Sequence, residues 1–255
     1  MLSLGVGQWQ AWVMCCFIGL LGVFGGLSGL FSARLARAYV NLLAGGAYPD
    51  QTTFCLALRR ATWPLGSSHQ EADQHAYGQA EWRGIILMAG VVPLLCWRSG
   101  LSVYFVALLA AAVVLLTLAL IDAACSLLPD ALTLPLLWGG LALSWLGYGP
   151  ALSDAFAGVM LGYGFPWALF FVYKCARRCD GMGHGDFKLL AGLGAWLGWQ
   201  AVAPVLLMAS VGLVTLAIWR QKSWRPVGAC PFGPFLIVSA AGVFVGGSGV
   251  HSWFI

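Results

Sequence analysis

Nine carboxylates are spread over 255 residues, and four of them, Asp122, Asp130, Asp180 and Asp186, stand where apolar runs meet short polar loops. Asp122 directly ends the apolar run 101–121. A carboxylate at the centre of a membrane helix costs about 2.5–3.5 kcal/mol on insertion scales. The membrane boundary is cheaper, but a charge abutting so long an apolar run still implies a use. Asp186 lies in Gly181-Met182-Gly183-His184-Gly185-Asp186-Phe187-Lys188. Three glycines before an acid make a poor helix start, yet they let the backbone approach an extended peptide or a second carboxylate. Two carboxylates brought together cannot both ionise, so they share a proton. The ionised one takes a proton from water while the protonated one polarises a carbonyl. Peptide hydrolysis then needs no nucleophilic serine or cysteine and no metal.

Each acid also has a plainer reading when taken singly. Asp122 reads as a helix C-terminal residue in an interfacial loop, and Asp186 as a helix N-terminal carboxylate favoured by the dipole. Asp130, in Leu128-Pro129-Asp130-Ala131, reads as the N-cap of the next helix. Asp180 reads as a surface partner of Arg177 and Arg178. Asp50, Glu71, Asp73 and Glu81 fall in a polar loop, and Asp154 near the outer end of an apolar run. His184 could touch a substrate or be an ordinary exposed loop histidine. His69 and His75 lack the partner pattern of a metal site. No phosphate-binding glycine loop is present, because the glycine run lacks a nucleotide fold's preceding strand and following helix.

The elements that must position these acids follow from composition. Apolar residues make up 60 % and charged residues 9 %, against about 45–50 % and about 25 % in a soluble domain. So few charges cannot cover a soluble surface, which excludes a cytosolic globular enzyme, a disordered chain and a disulfide-stapled secreted domain. The composition predicts an all-α, polytopic integral membrane protein in contact with lipid. The net charge of +4 implies no nucleic acid, since the basic residues sit in short loops. The eight cysteines contain no C-x-x-C pair and read as small buried apolar residues.

A spanning helix needs about 20 mostly apolar residues. The runs 9–31, 84–97, 101–121, 131–147, 151–172, 187–199, 201–219 and 228–255 predict about eight transmembrane helices, with a cytoplasmic loop after the first. Before the first run there is no basic segment and after it no convincing cleavage site, so an uncleaved span is expected rather than a signal peptide. Its GxxxG spacings, Gly22/Gly26 and Gly25/Gly29, predict close helix packing. With the N-terminus outside, twelve of the thirteen Lys and Arg fall on or beside the cytoplasmic face, Arg98 being the exception. Residues 33–44, with Arg34, Arg37 and Asn41 among Leu35, Val40, Leu42 and Leu43, form an amphipathic stretch. It reads either as a helix lying in the interface or as one capping the bundle.

Gly183-His184-Gly185-Asp186 resembles the GxGD signature of intramembrane aspartic proteases. The run from Gly181 to Gly198 is similar to the second motif of prepilin peptidases, the leader peptidases of type IV pilus and type II secretion systems. The run from Ile121 to Leu141 is similar to their first motif, and Cys230-Pro231-Phe232-Gly233-Pro234-Phe235-Leu236 to their C-terminal segment. The similarity runs from about Trp82 to the C-terminus, which divides the chain into a first helix with its loop, 1–83, and a peptidase domain, 84–255. It implies Asp122 and Asp186 as catalytic acids, with Gly183, His184, Gly185, Lys188 and Asp130 as supporting or substrate-loop residues.

Two departures from the family pattern matter. Ala124 stands where a second acid usually follows the first catalytic one. The loop 32–83 holds one cysteine, Cys55, where family members commonly carry two C-x-x-C pairs as a zinc site. Four ligands are needed for structural zinc, so none is expected here. The loop is expected to be held by packing of Trp63, Leu65 and Trp82 and by its own short helices. The resemblance implies removal of a short basic leader from prepilin or pseudopilin precursors at the cytoplasmic face of a bacterial inner membrane, in company with pilus or secretion assembly machinery. Peptidase action needs no cofactor; S-adenosylmethionine is implied only if N-methylation is retained. The rival class is a small transporter or channel using interfacial carboxylates to carry ions.

Overall fold

The computed structural model describes residues 3–62, 74–100, 102–177, 183–221 and 231–247. All regular structure among them is helical: α1 (Ser3–Ala44), α2 (Gln51–Thr62), α3 (Gln74–Ser99), α4 (Val103–Cys125), α5 (Asp130–Trp145), α6 (Leu152–Arg177), α7 (His184–Leu197), α8 (Trp199–Gln221) and α9 (Gly233–Gly246). Among the described residues each expected apolar run falls mainly on one helix, although Trp199, placed at the end of the run 187–199, opens α8, and α2 lies in the expected loop. Among the described residues four helical stretches are long and apolar enough to cross a membrane: Ile18–Ala44, Val103–Cys125, Leu152–Cys175 and Trp199–Trp219. The apolar stretches Trp82–Trp97 and Gly233–Gly246 are shorter. Helices α5, with 16 residues, and α7, with 14, rise only about 24 Å and 21 Å at 1.5 Å per residue.

The amphipathic stretch 33–44 is neither an interfacial helix nor a separate cap. It continues α1 without a break, because no glycine or proline interrupts it before Gly45. Leu35, Ala36 and Tyr39 form its buried face and join one core with Leu118, Ile121 and Leu189. The chain then turns at Gly46, whose φ is +88°. There the Gly46 N–H donates to Leu43 and the Ala47 N–H to Leu42, a paired closure that satisfies terminal carbonyls. Asp50 opens α2, its carboxylate accepting from the Gln51 N–H at 2.7 Å. Thr53, Ala57 and Ala61 bury α2 against α1, with Phe54 edge-on to Tyr39.

That contact corrects the expected packing of the loop: Trp82 is 67 % exposed, while Trp63 and Leu65 lie outside the described residues. The four cysteines whose side chains are described also depart from expectation. Cys55, Cys125 and Cys175 are free and exposed, and Cys96 is partly so.

Small residues set the helix spacing. Between lipid-facing helices close packing, rather than water exclusion, drives association. Gly29 lies against the Gly84 carbonyl, seating α1 on α3. Gly158 and Gly194 oppose each other across α6 and α7, each lying on the other's carbonyl. Trp196 fills the cleft toward α5, its Nε1–H donating to the Leu136 carbonyl at 2.8 Å. Helix α7 is therefore clasped between α5 and α6, and its short length buries Phe187, Leu189, Leu190 and Ala191 almost completely.

Candidate active site

Asp122 occupies the last turn of α4 and is only 4 % exposed. The helix ends just beyond it because Ser126 adopts the left-handed conformation, φ 51°, and returns its N–H to the Asp122 carbonyl at 2.8 Å. The Asp122 side chain accepts a buried hydrogen bond at 2.9 Å from the backbone N–H of Gly233, which opens α9. A Cβ at position 233 would come within 2.8 Å of that carboxylate oxygen. Only glycine lets the α9 backbone come so near.

Asp186 stands in the first turn of α7, ahead of the apolar body of that helix and outside the four spanning stretches. Its N–H donates to the Gly183 carbonyl at 3.2 Å, and the Gly183 N–H donates back to its carboxylate. Phe187 anchors this turn by edge contacts with Tyr163 and Phe170 of α6. Burial pushes the Asp186 pKa up from 3.8 to about 7; the neighbouring Asp122 charge adds to the rise, and the Gly183 N–H opposes it. The fold thus brings the two acids within mutual electrostatic reach, from positions 64 residues apart in sequence.

The other candidates are distributed around this pair. Asp130 is not the cap of α5: Pro129 holds that position, and Asp130 takes the first helical place with no capping bond. Proline at the cap leaves the acid free to reach sideways. Its two carboxylate oxygens each lie 2.7 Å from the Lys188 ammonium. Gly185 packs on Leu128, where an added Cβ would approach the Leu128 Cβ to 2.9 Å. His184 begins α7 rather than lying in a loop; it is exposed, with its ring against Phe170 and Phe187. Asp180 and Arg178 lie outside the described residues. Asp154 stays at the opposite end of α6, near Gln200.

Two features of the site lie beyond the reading of the acids in sequence. The Gly233 donor comes from 111 residues away, and a glycine between Phe232 and Pro234 was its only local signal. Tyr39 is 1 % exposed and lies near Asp130, Cys125 and Asp50. Its signal was the spacing of Leu35, Tyr39 and Leu43, one helical turn apart.

The residues present do not fit the zinc site commonly found in the resembled family. Cys55 is exposed, His69 lies outside the described residues, and no group of three metal-binding side chains occurs among the described residues.

Comparison with known proteins agrees with the motifs. Residues 109–218 match the type IV leader peptidase family, a stretch that contains both acids. The chain is 44 % identical over 149 residues to a prepilin leader peptidase/N-methyltransferase of Aeromonas hydrophila, covering 56 % of this chain and 50 % of that one. It is 42 % identical over 158 residues to one from Pseudomonas putida, covering 61 % and 54 %. With one from Dickeya chrysanthemi it shares 40 % over 174 residues, covering 64 % and 60 %. The chain thus spans about half the length of the curated relatives it matches. No solved structure matches. The resemblance read from the motifs is borne out over this region, which is similar to the type IV leader peptidase family.

Proposed function

We propose that this membrane protein is an aspartic endopeptidase that removes the N-terminal leader from type IV prepilin or pseudopilin precursors. The observation that carries the reading is that Asp122 and Asp186 stand at helix ends within electrostatic reach of each other, burial first and the Asp122 charge second pushing the Asp186 pKa up to about 7. Asp122, ionised, accepts a proton from water, and the oxygen attacks the scissile carbonyl carbon. Asp186 gives its proton to the carbonyl oxygen, forming a neutral gem-diol. As the C–N bond breaks, the leaving nitrogen takes the proton held by Asp122. A diol hydroxyl returns its proton to Asp186, regenerating the singly protonated pair. Gly183, His184, Gly185, Lys188 and Asp130 surround the pair as supporting residues, and residues 84–255 form the peptidase unit.

Such a site suits a substrate whose stem lies in the bilayer and whose leader is cytoplasmic. We place the protein in the bacterial inner membrane, N-terminus outside, with the dyad at the cytoplasmic face and pilus or secretion assembly proteins downstream. The basic residues support this orientation. Reporter fusions after Gly100 should report the outer side and fusions after Ser126 the inner side; the opposite result would reverse the topology. The rival ion-carrying reading is less well supported, since both acids sit at helix ends rather than mid-span.

Co-expression with a prepilin tests the function itself. Processed pilin should run faster on a denaturing gel, and a prepilin left at full length by the expressed, membrane-inserted protein would overturn the proposal. N-methyl transfer, which the relatives' names include and for which S-adenosylmethionine would be the donor, lies outside the mechanism above. The mass of the processed pilin N-terminus reads it directly.

A further inference from the structure

The Asp130–Lys188 pair is placed where it can do more than hold two helices together. Lys188 meets both carboxylate oxygens at 2.7 Å, but the two side chains are 32 % and 55 % exposed. Pairs this exposed contribute little stability. The location is more informative than the strength. Asp130 follows Asp122 by eight residues, across the turn that ends α4, and Lys188 follows Asp186 by two. Leu128, in the same turn, lies against Gly185. The contacts 128–185 and 130–188 therefore fall on either side of Asp186. They fasten the turn behind Asp122 to the first turn of α7, which carries the other acid.

Proton sharing between two carboxylates depends on their separation, and a displacement of about 1 Å at a reacting group can cost about 10²-fold in rate. We propose that Asp130 and Lys188 are positioning residues, a charged clasp between α5 and α7 that sets the separation of Asp122 and Asp186. This rests on the dyad reading above. Neither residue touches the scissile bond; they act through the two acids.

Full-length protein in detergent with a prepilin substrate provides the test. Asp130→Lys and Lys188→Asp should each lower kcat by about tenfold or more, a fraction of the loss from a full misplacement, with KM and melting temperature little changed. The double variant carrying both substitutions should regain part of the rate. Recovery should be incomplete, because a lysine in the first turn of α5 opposes the helix dipole. If a reversed charge prevents folding, Asp130→Asn and Lys188→Gln remove the pair without repulsion and should show the same selective loss of kcat. Single variants at wild-type kcat, or a charge swap no better than either single variant, would overturn the clasp. A folded wild-type protein that leaves prepilin uncut would instead sink the peptidase reading, and the clasp with it.

Discussion

Replacing either Asp122 or Asp186 with asparagine should lower prepilin cleavage by about 10²–10⁴-fold, the range expected when a positioned acid or base is removed. Asparagine keeps the shape of the side chain but can neither hold the shared proton nor accept one from water. Each variant should still insert and accumulate. Wild-type processing by either would exclude a dyad mechanism.

The pH dependence of the unaltered protein provides a second readout of the same pair. With the Asp186 pKa at about 7, the singly protonated form is lost above that pH, so cleavage should fall about tenfold per unit on the alkaline side. The sign for stability is set by the same shift. Between the ordinary value of 3.8 and about 7, the folded protein holds a proton that the unfolded chain has released. Stability should therefore fall as pH rises through that window. Asp186→Asn removes this liability, so its melting temperature at pH 8 should equal or exceed that of the wild type. An inactive variant that is no less stable separates loss of chemistry from loss of fold.

The acids were legible in sequence for a local reason. A carboxylate that abuts a long apolar run, or follows three closely spaced glycines, is conspicuous within a few residues of itself. The apolar runs were legible because a bilayer requires continuous hydropathy over a helix length. What failed was inference across polar punctuation. Arg34 and Arg37 broke the hydropathy of α1, but charge does not end a helix as glycine or proline does, and the helix continues to Ala44. Asp130 had the residue type of a cap, yet Pro129 took the cap position and turned the acid into half of an ion pair. Trp82, expected to pack, is exposed instead, and a large apolar surface facing outward carries little cost beside lipid.

Gly233→Ala should reduce kcat by about 10²-fold, because an active site that loses one preorganised backbone donor typically falls by about 10²–10³-fold. Two effects coincide at this position. The added methyl would stand 2.8 Å from the Asp122 Oδ2 and 3.2 Å from its Cγ, so either the carboxylate or α9 must move. Whichever moves, the 2.9 Å bond from the Gly233 N–H is stretched or lost, and a carboxylate only 4 % exposed loses the backbone donor given to its charged form. Alanine favours a helix by about 1 kcal/mol over glycine, which offsets part of the strain but none of the loss of rate. Activity should therefore fall far more than the melting temperature. Gly242→Ala, farther along the same helix, supplies the control: its added methyl would meet nothing nearer than the flexible Met208 Cε at 3.6 Å, and activity should be unchanged. Wild-type cleavage by Gly233→Ala would mean that the α9 backbone only neighbours Asp122. A loss confined to position 233 would make that backbone amide a working part of the dyad.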